Sequence, residues 1–191
     1  MAPHHTQLPV VVCPGFHNAK LTQSWVRSLP TFIEPIVLET SPISVQAVYQ
    51  ALTETFGEPS DGAEKLPVVA VGFSAGVVGL VGAIAQWQQR GGTCAQLIAI
   101  DGWGVPILGM PVTRISHDRF THVTTLPLGA GETNFYATPN VSHLHLWEAP
   151  ESVSGIAVSG WQLDSGVAMT AADYVRRSLR KQWNSAFNWR S

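Results

Sequence analysis

The chain of 191 residues carries a formal net charge of −2, with 45% hydrophobic and 13% charged residues. That balance excludes a disordered chain, leaves no electrostatic footprint for nucleic acid, and suits a single domain over residues 1–191 with a large core. Two cysteines, Cys13 and Cys94, lie in apolar runs and read as small buried hydrophobes of a reducing compartment, not as a disulfide. The opening Met-Ala-Pro-His-His-Thr-Gln has no basic segment leading into an apolar run, so no signal peptide is expected. No run approaches the roughly 18 apolar residues that span a bilayer. A cytoplasmic protein without a transmembrane segment is the default expectation.

Residues 8–13, Leu-Pro-Val-Val-Val-Cys, are apolar throughout, as in a central parallel strand buried on both faces. Pro14-Gly15-Phe16-His17-Asn18 turns out of it into a short helix over 20–29, with Leu21, Trp25 and Leu29 on one face. A strand over 35–39 follows. An amphipathic helix then runs from Ser44 to Phe56, with Gly57 at its end. After a polar loop, 58–65, comes a strand over 67–71, a turn at Ser74 and a helix from Val77 to Gln89 closed by Gly91-Gly92. Residues 95–100 form the next strand, ending at Asp101-Gly102-Trp103-Gly104. This alternation predicts an α/β fold with three layers and a doubly wound, mostly parallel sheet.

Beyond Gly104 the pattern loosens. Val112–Ile115 reads as a strand, followed by His117-Asp118-Arg119-Phe120-Thr121-His122 and then a loop rich in Thr, Gly and Pro that runs to about Ser142. The alternation in His143-Leu-His-Leu-Trp147 predicts another strand, with His143 and His145 on one half-exposed face. H-x-H can ligate a metal, but no cysteine or carboxylate pattern accompanies it, so neither a metal nor a cofactor is expected. Residues 151–169 resist assignment. Thr170–Phe187 reads as a C-terminal helix capped by Thr170, with Asp173 placed as in a capping box.

Gly72-Phe73-Ser74-Ala75-Gly76 is the chemically informative stretch. The pattern G-x-S-x-G is weak alone, but here it joins a buried strand to a helix. In that context a tight turn lifts the serine hydroxyl to the sheet edge, and the flanking glycines let strand and helix pass closely. The plainer alternative is an ordinary strand-to-helix turn in which Ser74 caps the helix.

The order of strands, helices, Pro14-Gly15-Phe16 loop, G-x-S-x-G and Asp101 resembles the α/β-hydrolase superfamily over residues 8–103. The resemblance is to a minimal member whose first strand corresponds to the family's third, with no large cap domain. It implies a nucleophile at Ser74 and an oxyanion hole made by the backbone N–H groups of Ala75 and Phe16. It also implies a histidine base, and an acid that orients it. The family places its histidine after the last strand, close to the C-terminal helix. No histidine follows His145, so that place reads as empty.

The base is therefore sought elsewhere. His17 lies in the oxyanion loop. His117 and His122 flank a segment that leaves a predicted strand for the active edge of the sheet, and one of these two is expected to be the base. Asp101 is the expected acid and Asp118 its rival. Asp118 could orient His122 but not its neighbour His117, which points away in an extended segment.

The implied reaction is acyl transfer to water from an ester or thioester. Trp103, Val105, Ile107, Leu108, Met110, Phe120, Leu126 and Leu128 either line an apolar acyl site, with Trp103 at the substrate, or form core beneath it. The C-terminal stripe of Val175, Leu179, Trp183 and Phe187 is expected to dock on the sheet, with peripheral membrane contact as the lesser reading. A non-catalytic binding module for a small apolar ligand is the alternative function. A flavodoxin-like or nucleotide-binding sheet is disfavoured, because neither glycine motif fits a phosphate-binding fingerprint.

Overall fold

The computed structural model describes residues 7–59, 66–163 and 165–187. The readings made at residues 1–6 and over most of the 58–65 loop lie outside them. The elements run β1 (Leu8–Cys13), α1 (Ala19–Arg27), β2 (Ile33–Val37), α2 (Val45–Phe56), β3 (Val68–Phe73), α3 (Ala75–Gln89), β4 (Cys94–Ile100) and β5 (Val112–Ser116). They continue as α4 (Arg119–Thr125), a 3₁₀ turn, β6 (Thr133–Ala137), α5 (His143–Glu148), β7 (Ser154–Ser159), β8 (Gly166–Thr170) and α6 (Ala171–Phe187). The strands form one sheet in the order β2-β1-β3-β4-β5-β6-β7-β8, parallel through β6 and antiparallel at β7 and β8. The three-layer, mostly parallel α/β fold expected from the alternation is the fold observed.

The central strands are apolar throughout because helices cover both faces. Side chains alternate across a strand, so Val10, Val12, Val69, Val71, Phe73, Ile98 and Ile100 enter one core with Trp25, Trp147, Tyr174 and Leu179 from α1, α5 and α6. Val11, Cys13, Val68, Ala70, Leu97 and Ala99 enter the other, with Leu52 from α2 and Leu80, Ile84 and Trp87 from α3. Both cysteines are free and buried, and burial pushes each thiol up to about 12.

Three readings of the C-terminal half are corrected. The stretch read as a loop from beyond His122 to about Ser142 is not one: it holds the end of α4 and then β6, whose Phe135 is fully buried between flanks rich in Gly, Pro and Thr that disguised it. His143–Trp147 is helix, not strand. Ser142 Oγ accepts the His145 N–H at 3.2 Å as its cap, and the inward residues His143, Leu146 and Trp147 have helical spacing. The unassigned 151–169 stretch forms most of the β7–β8 hairpin.

The cap read at Thr170 is present, its Oγ1 accepting the Asp173 N–H at 3.1 Å. The α6 stripe packs into the first core, Val175 and Leu179 fully and Trp183 and Phe187 in part. Among the described residues no helix is long and apolar enough to cross a membrane.

Candidate active site

Register assembles the site. Phe73 is level with Ile100, and Ile100 with Ile115, so β3, β4 and β5 end together. Ser74, Asp101 and His117 leave the sheet side by side at its C-terminal edge. The chain also reverses direction across the sheet between β1 and β3, which opens a crevice at that edge of a doubly wound fold. A cavity of about 580 Å³ lies there, lined by Ser74, Ala75, Asp101, His117, Asp118 and His143, with Val78, Trp103, Val105 and Phe120 as its apolar wall.

Ser74 has φ 53° and ψ −118°, a strained conformation for a residue with a side chain that costs on the order of 1–3 kcal/mol. Its side chain makes no capping bond to α3, so the plain capping alternative is not what holds it there. The Ala75 N–H begins the helix, where no carbonyl four residues back accepts it. Gly15 packs directly on this turn: a Cβ there would meet Phe73 O at 3.0 Å and Ser74 Cβ at 3.1 Å. At Gly76 a Cβ would strike Cys13 O at 2.0 Å, so only glycine lets the β1 loop and α3 approach this closely. The Phe16 side chain is 70% exposed and outside the cavity wall.

Asp101 also has a positive φ, 50°, and its carboxylate is 1% exposed. Three donors converge on it. Oδ1 accepts the His117 backbone N–H at 2.9 Å, while Oδ2 faces His117 Nδ1 at 2.9 Å and His143 Nδ1 at 2.8 Å. Burial alone would push this carboxyl up, but the bonds from His117 and His143 outweigh it and hold it below its ordinary value. The same bond from Asp101 raises the proton affinity of His117.

His143 is the member that sequence reading passed over. It follows β6, the last parallel strand, whereas no histidine follows β8, the last strand of the sheet. Its ring stacks on Phe73, centroids 4.6 Å apart, Phe73 stacks on Trp147 at 4.8 Å, and Trp147 on Trp25 at 4.3 Å. His143 thus ends a column of four rings rooted in the core, beside the residue that precedes Ser74. The signal that could have found it was Ser142 as a helix cap with His143, Leu146 and Trp147 at helical spacing. His145 turns elsewhere, its Nε2 3.1 Å from Ser152 Oγ.

The structure does not bring His122 to the cavity. Its ring is fully buried against Tyr136, centroids 5.1 Å apart, and neither nitrogen has a hydrogen-bond partner. Burial lowers its proton affinity. The helical wind of α4 carries this ring away from the edge where an extended segment would have presented it.

Asp118 caps α4, its Oδ1 accepting the Thr121 N–H at 2.6 Å, and its Oδ2 lies 3.5 Å from His117 Nε2. It therefore faces the histidine that an extended segment would have turned from it. His17 reaches Thr22 Oγ1 with Nε2 at 2.9 Å and packs edge-on to Phe73. Burial, followed by the nearness of His143, lowers its proton affinity.

The apolar run after Asp101 divides. Trp103, Val105 and Phe120 line the cavity, whereas Ile107 and Leu126 are core and Leu108 is exposed. Arg114, on β5, pins this loop. Its guanidinium donates to the carbonyls of Gly129, Val105 and Leu128 at 2.7, 2.8 and 3.0 Å, and burial lowers its pKa to about 10.

Among the described residues, Asp101, His117 and His143 are also a group with metal-ligand chemistry, their donor atoms within 4.8 Å of one another. One carboxylate and two imidazoles would suit zinc or a similar transition ion. No family model matches the chain, and no curated protein matches it significantly.

Proposed function

We propose that the protein is a serine hydrolase of α/β-hydrolase type that cleaves an ester or thioester of an apolar acyl group. Ser74 is the nucleophile, His143 the base and Asp101 the acid that orients it. The observation that carries the reading is the strained, uncapped Ser74 facing the same cavity as an imidazole held by a buried carboxylate.

His143 is favoured over His117 because a base needs a nitrogen with a free lone pair. With Nδ1–H donating to Asp101, His143 keeps Nε2 for the serine proton. His117 has a carboxylate at each nitrogen, which favours a proton on both. In the reaction His143 Nε2 takes the Ser74 proton as Oγ bonds to the acyl carbon. The oxyanion is received by the Ala75 N–H, with the neighbouring Gly15-Phe16 loop supplying the second donor. Collapse breaks the bond to the alcohol or thiol, which leaves with the proton from His143. Water then repeats the sequence on the acyl-enzyme and releases the acid. The wall of Val78, Trp103, Val105 and Phe120 holds no Lys or Arg, in keeping with an uncharged acyl group.

Labelling by a fluorophosphonate probe and hydrolysis of p-nitrophenyl esters of graded chain length test this. Ser74→Ala should abolish labelling, and His143→Ala and Asp101→Asn should each lower the hydrolysis rate about 10³-fold or more. Chelator-treated protein should label as well as the parent. Loss of turnover on chelation with recovery on adding Zn²⁺ would replace this reading with a metal-dependent one on the same three side chains. A folded parent that never labels would make the cavity a binding site for an apolar ligand.

A further inference from the structure

An acid that orients one base needs one histidine, yet two imidazoles turn Nδ1 to a single oxygen of Asp101. We propose that Asp101, His117 and His143 form a binding site for Zn²⁺ or a similar transition ion, and that the bound ion shuts off hydrolysis by taking Nδ1 of the base. The ion site rests on the side chains alone; its kinetic consequence rests on the hydrolase reading.

The donor set is compact. His117 Nδ1 and His143 Nδ1 lie 2.9 and 2.8 Å from Asp101 Oδ2, and one ligand atom from each residue falls within 4.8 Å of the others. Ligands about 2.0–2.1 Å from a tetrahedral zinc ion stand roughly 3.3 Å apart, so Oδ2 and each Nδ1 need to part by only a few tenths of an ångström. Both rings border the cavity, their side chains 28% and 39% exposed, which gives them room to draw together around an ion. Asp101 Oδ1 is held by the His117 backbone N–H at 2.9 Å, leaving Oδ2 as the ligand. The cavity leaves the fourth position to water, as in other three-ligand sites. Imidazoles with a carboxylate suit zinc, copper or nickel better than magnesium or calcium, which prefer oxygen alone.

The surroundings of the ligands fit as well. A metal-bound imidazole gives the hydrogen on its other nitrogen to a carboxylate, carbonyl or water, which fixes the ring. His117 Nε2 faces Asp118 Oδ2 at 3.5 Å, and Asp118 is anchored through Oδ1 to the Thr121 N–H. A chain of carboxylate, histidine and ion is thus laid out on one side of the site. On the other, the His143 ring is braced face-on by Phe73.

The effect on turnover follows from where the hydrogens sit. As the base, His143 donates its Nδ1–H to Asp101 and offers the Nε2 lone pair to Ser74. With an ion on Nδ1, the single hydrogen of the neutral ring moves to Nε2, and no lone pair is left for the serine proton. At His117 the ion displaces the Nδ1 hydrogen, which passes to solvent, while the Nε2–H stays toward Asp118. Ion and hydrogen compete for His143 Nδ1, and hydrolysis needs the hydrogen there.

The test starts from chelator-treated protein. Added Zn²⁺ should suppress both fluorophosphonate labelling and ester hydrolysis, and a chelator should restore them; Mg²⁺ or Ca²⁺ at the same concentration should leave both unchanged. Undiminished labelling of the zinc-saturated protein, or stimulation by zinc, would overturn the proposal. A second arm needs no turnover. Calorimetry on the Ser74→Ala protein should find Zn²⁺ binding that weakens about 10–100-fold when Asp118→Asn is added, a change that keeps a capping side chain on α4, and weakens further with His117→Ala. Imidazole nitrogen NMR of the same protein should show the His143 hydrogen move from Nδ1 to Nε2 as zinc binds. Zinc bound as tightly in both variants, or a His143 tautomer that does not change, would sink the proposal even if hydrolysis is confirmed. The expected binding and tautomer change in a protein that never labels would uphold the ion site while the hydrolase reading fails.

Discussion

The two faces of the sheet are built from the same strands but differ in kind. Behind α2 and α3 the core is mostly aliphatic: Val11, Val48, Leu52, Leu80, Ile84 and Leu97, with Trp87 and Tyr49 buried among them. Behind α1, α5 and α6 it holds the ring column Trp25–Trp147–Phe73–His143, which runs from the core to the cavity wall. Both faces bury apolar area, and area is what stabilises the fold. Flat rings stacked face to face also leave the last of them little freedom to tilt. One face holds the sheet together; the other does so and aims an imidazole.

The comparison can be broken most sharply by truncating each face. Leu52→Ala, fully buried on the aliphatic face, should cost about 2–5 kcal/mol in denaturant unfolding while leaving the rate per folded molecule unchanged. Trp147→Leu should cost a similar amount and, in addition, lower that rate about tenfold, because His143 loses the ring beneath Phe73. Equal loss of rate in the two variants, or none in either, would dissolve the distinction. Arg114→Met should have a somewhat smaller effect. It strands the carbonyls of Val105, in the loop over the cavity, and of Leu128 and Gly129, in the turn before β6, for about 2–4 kcal/mol, and should speed amide exchange of residues 102–106 more than that of β1.

The smallest effect contrasts the two histidines of one segment. His122 has a folded-state pKa below its ordinary 6.5, so its contribution to stability is complete above that value and drains away as pH falls below it. His117 is shifted the other way: its contribution is complete below 6.5 and is lost as pH rises through its folded value. Thermal unfolding of His122→Phe should therefore fall less than that of the parent between pH 7 and pH 5, by about 1 kcal/mol or less. A parallel fall in both proteins would mean that His122 does not titrate in that window.

Most of the fold was legible through β5 because local rules decide it. Apolar runs of five to seven residues, Ser44 before a periodic helix and Gly57 after it each act within a few residues. The same rules placed Ser74 in a strand-to-helix turn and Asp101 at a strand end. They failed where short elements carry mixed signals. Five residues of alternating His, Leu and Trp satisfy a strand as readily as one and a half turns of helix. That single misreading hid His143, since it placed a strand where β6 had already ended the parallel series.

What the sequence determined by itself was the α/β alternation, the strained serine and the carboxylate one strand away, all matters of adjacent residues and repeat period. Which histidine meets Asp101 was decided only in the tertiary structure. Strand register sets His117 beside Asp101, the wind of α4 carries His122 into the core, and the ring column brings His143 across from a helix 42 residues farther along the chain. Those separations depend on packing geometry, which spacing along the chain does not encode.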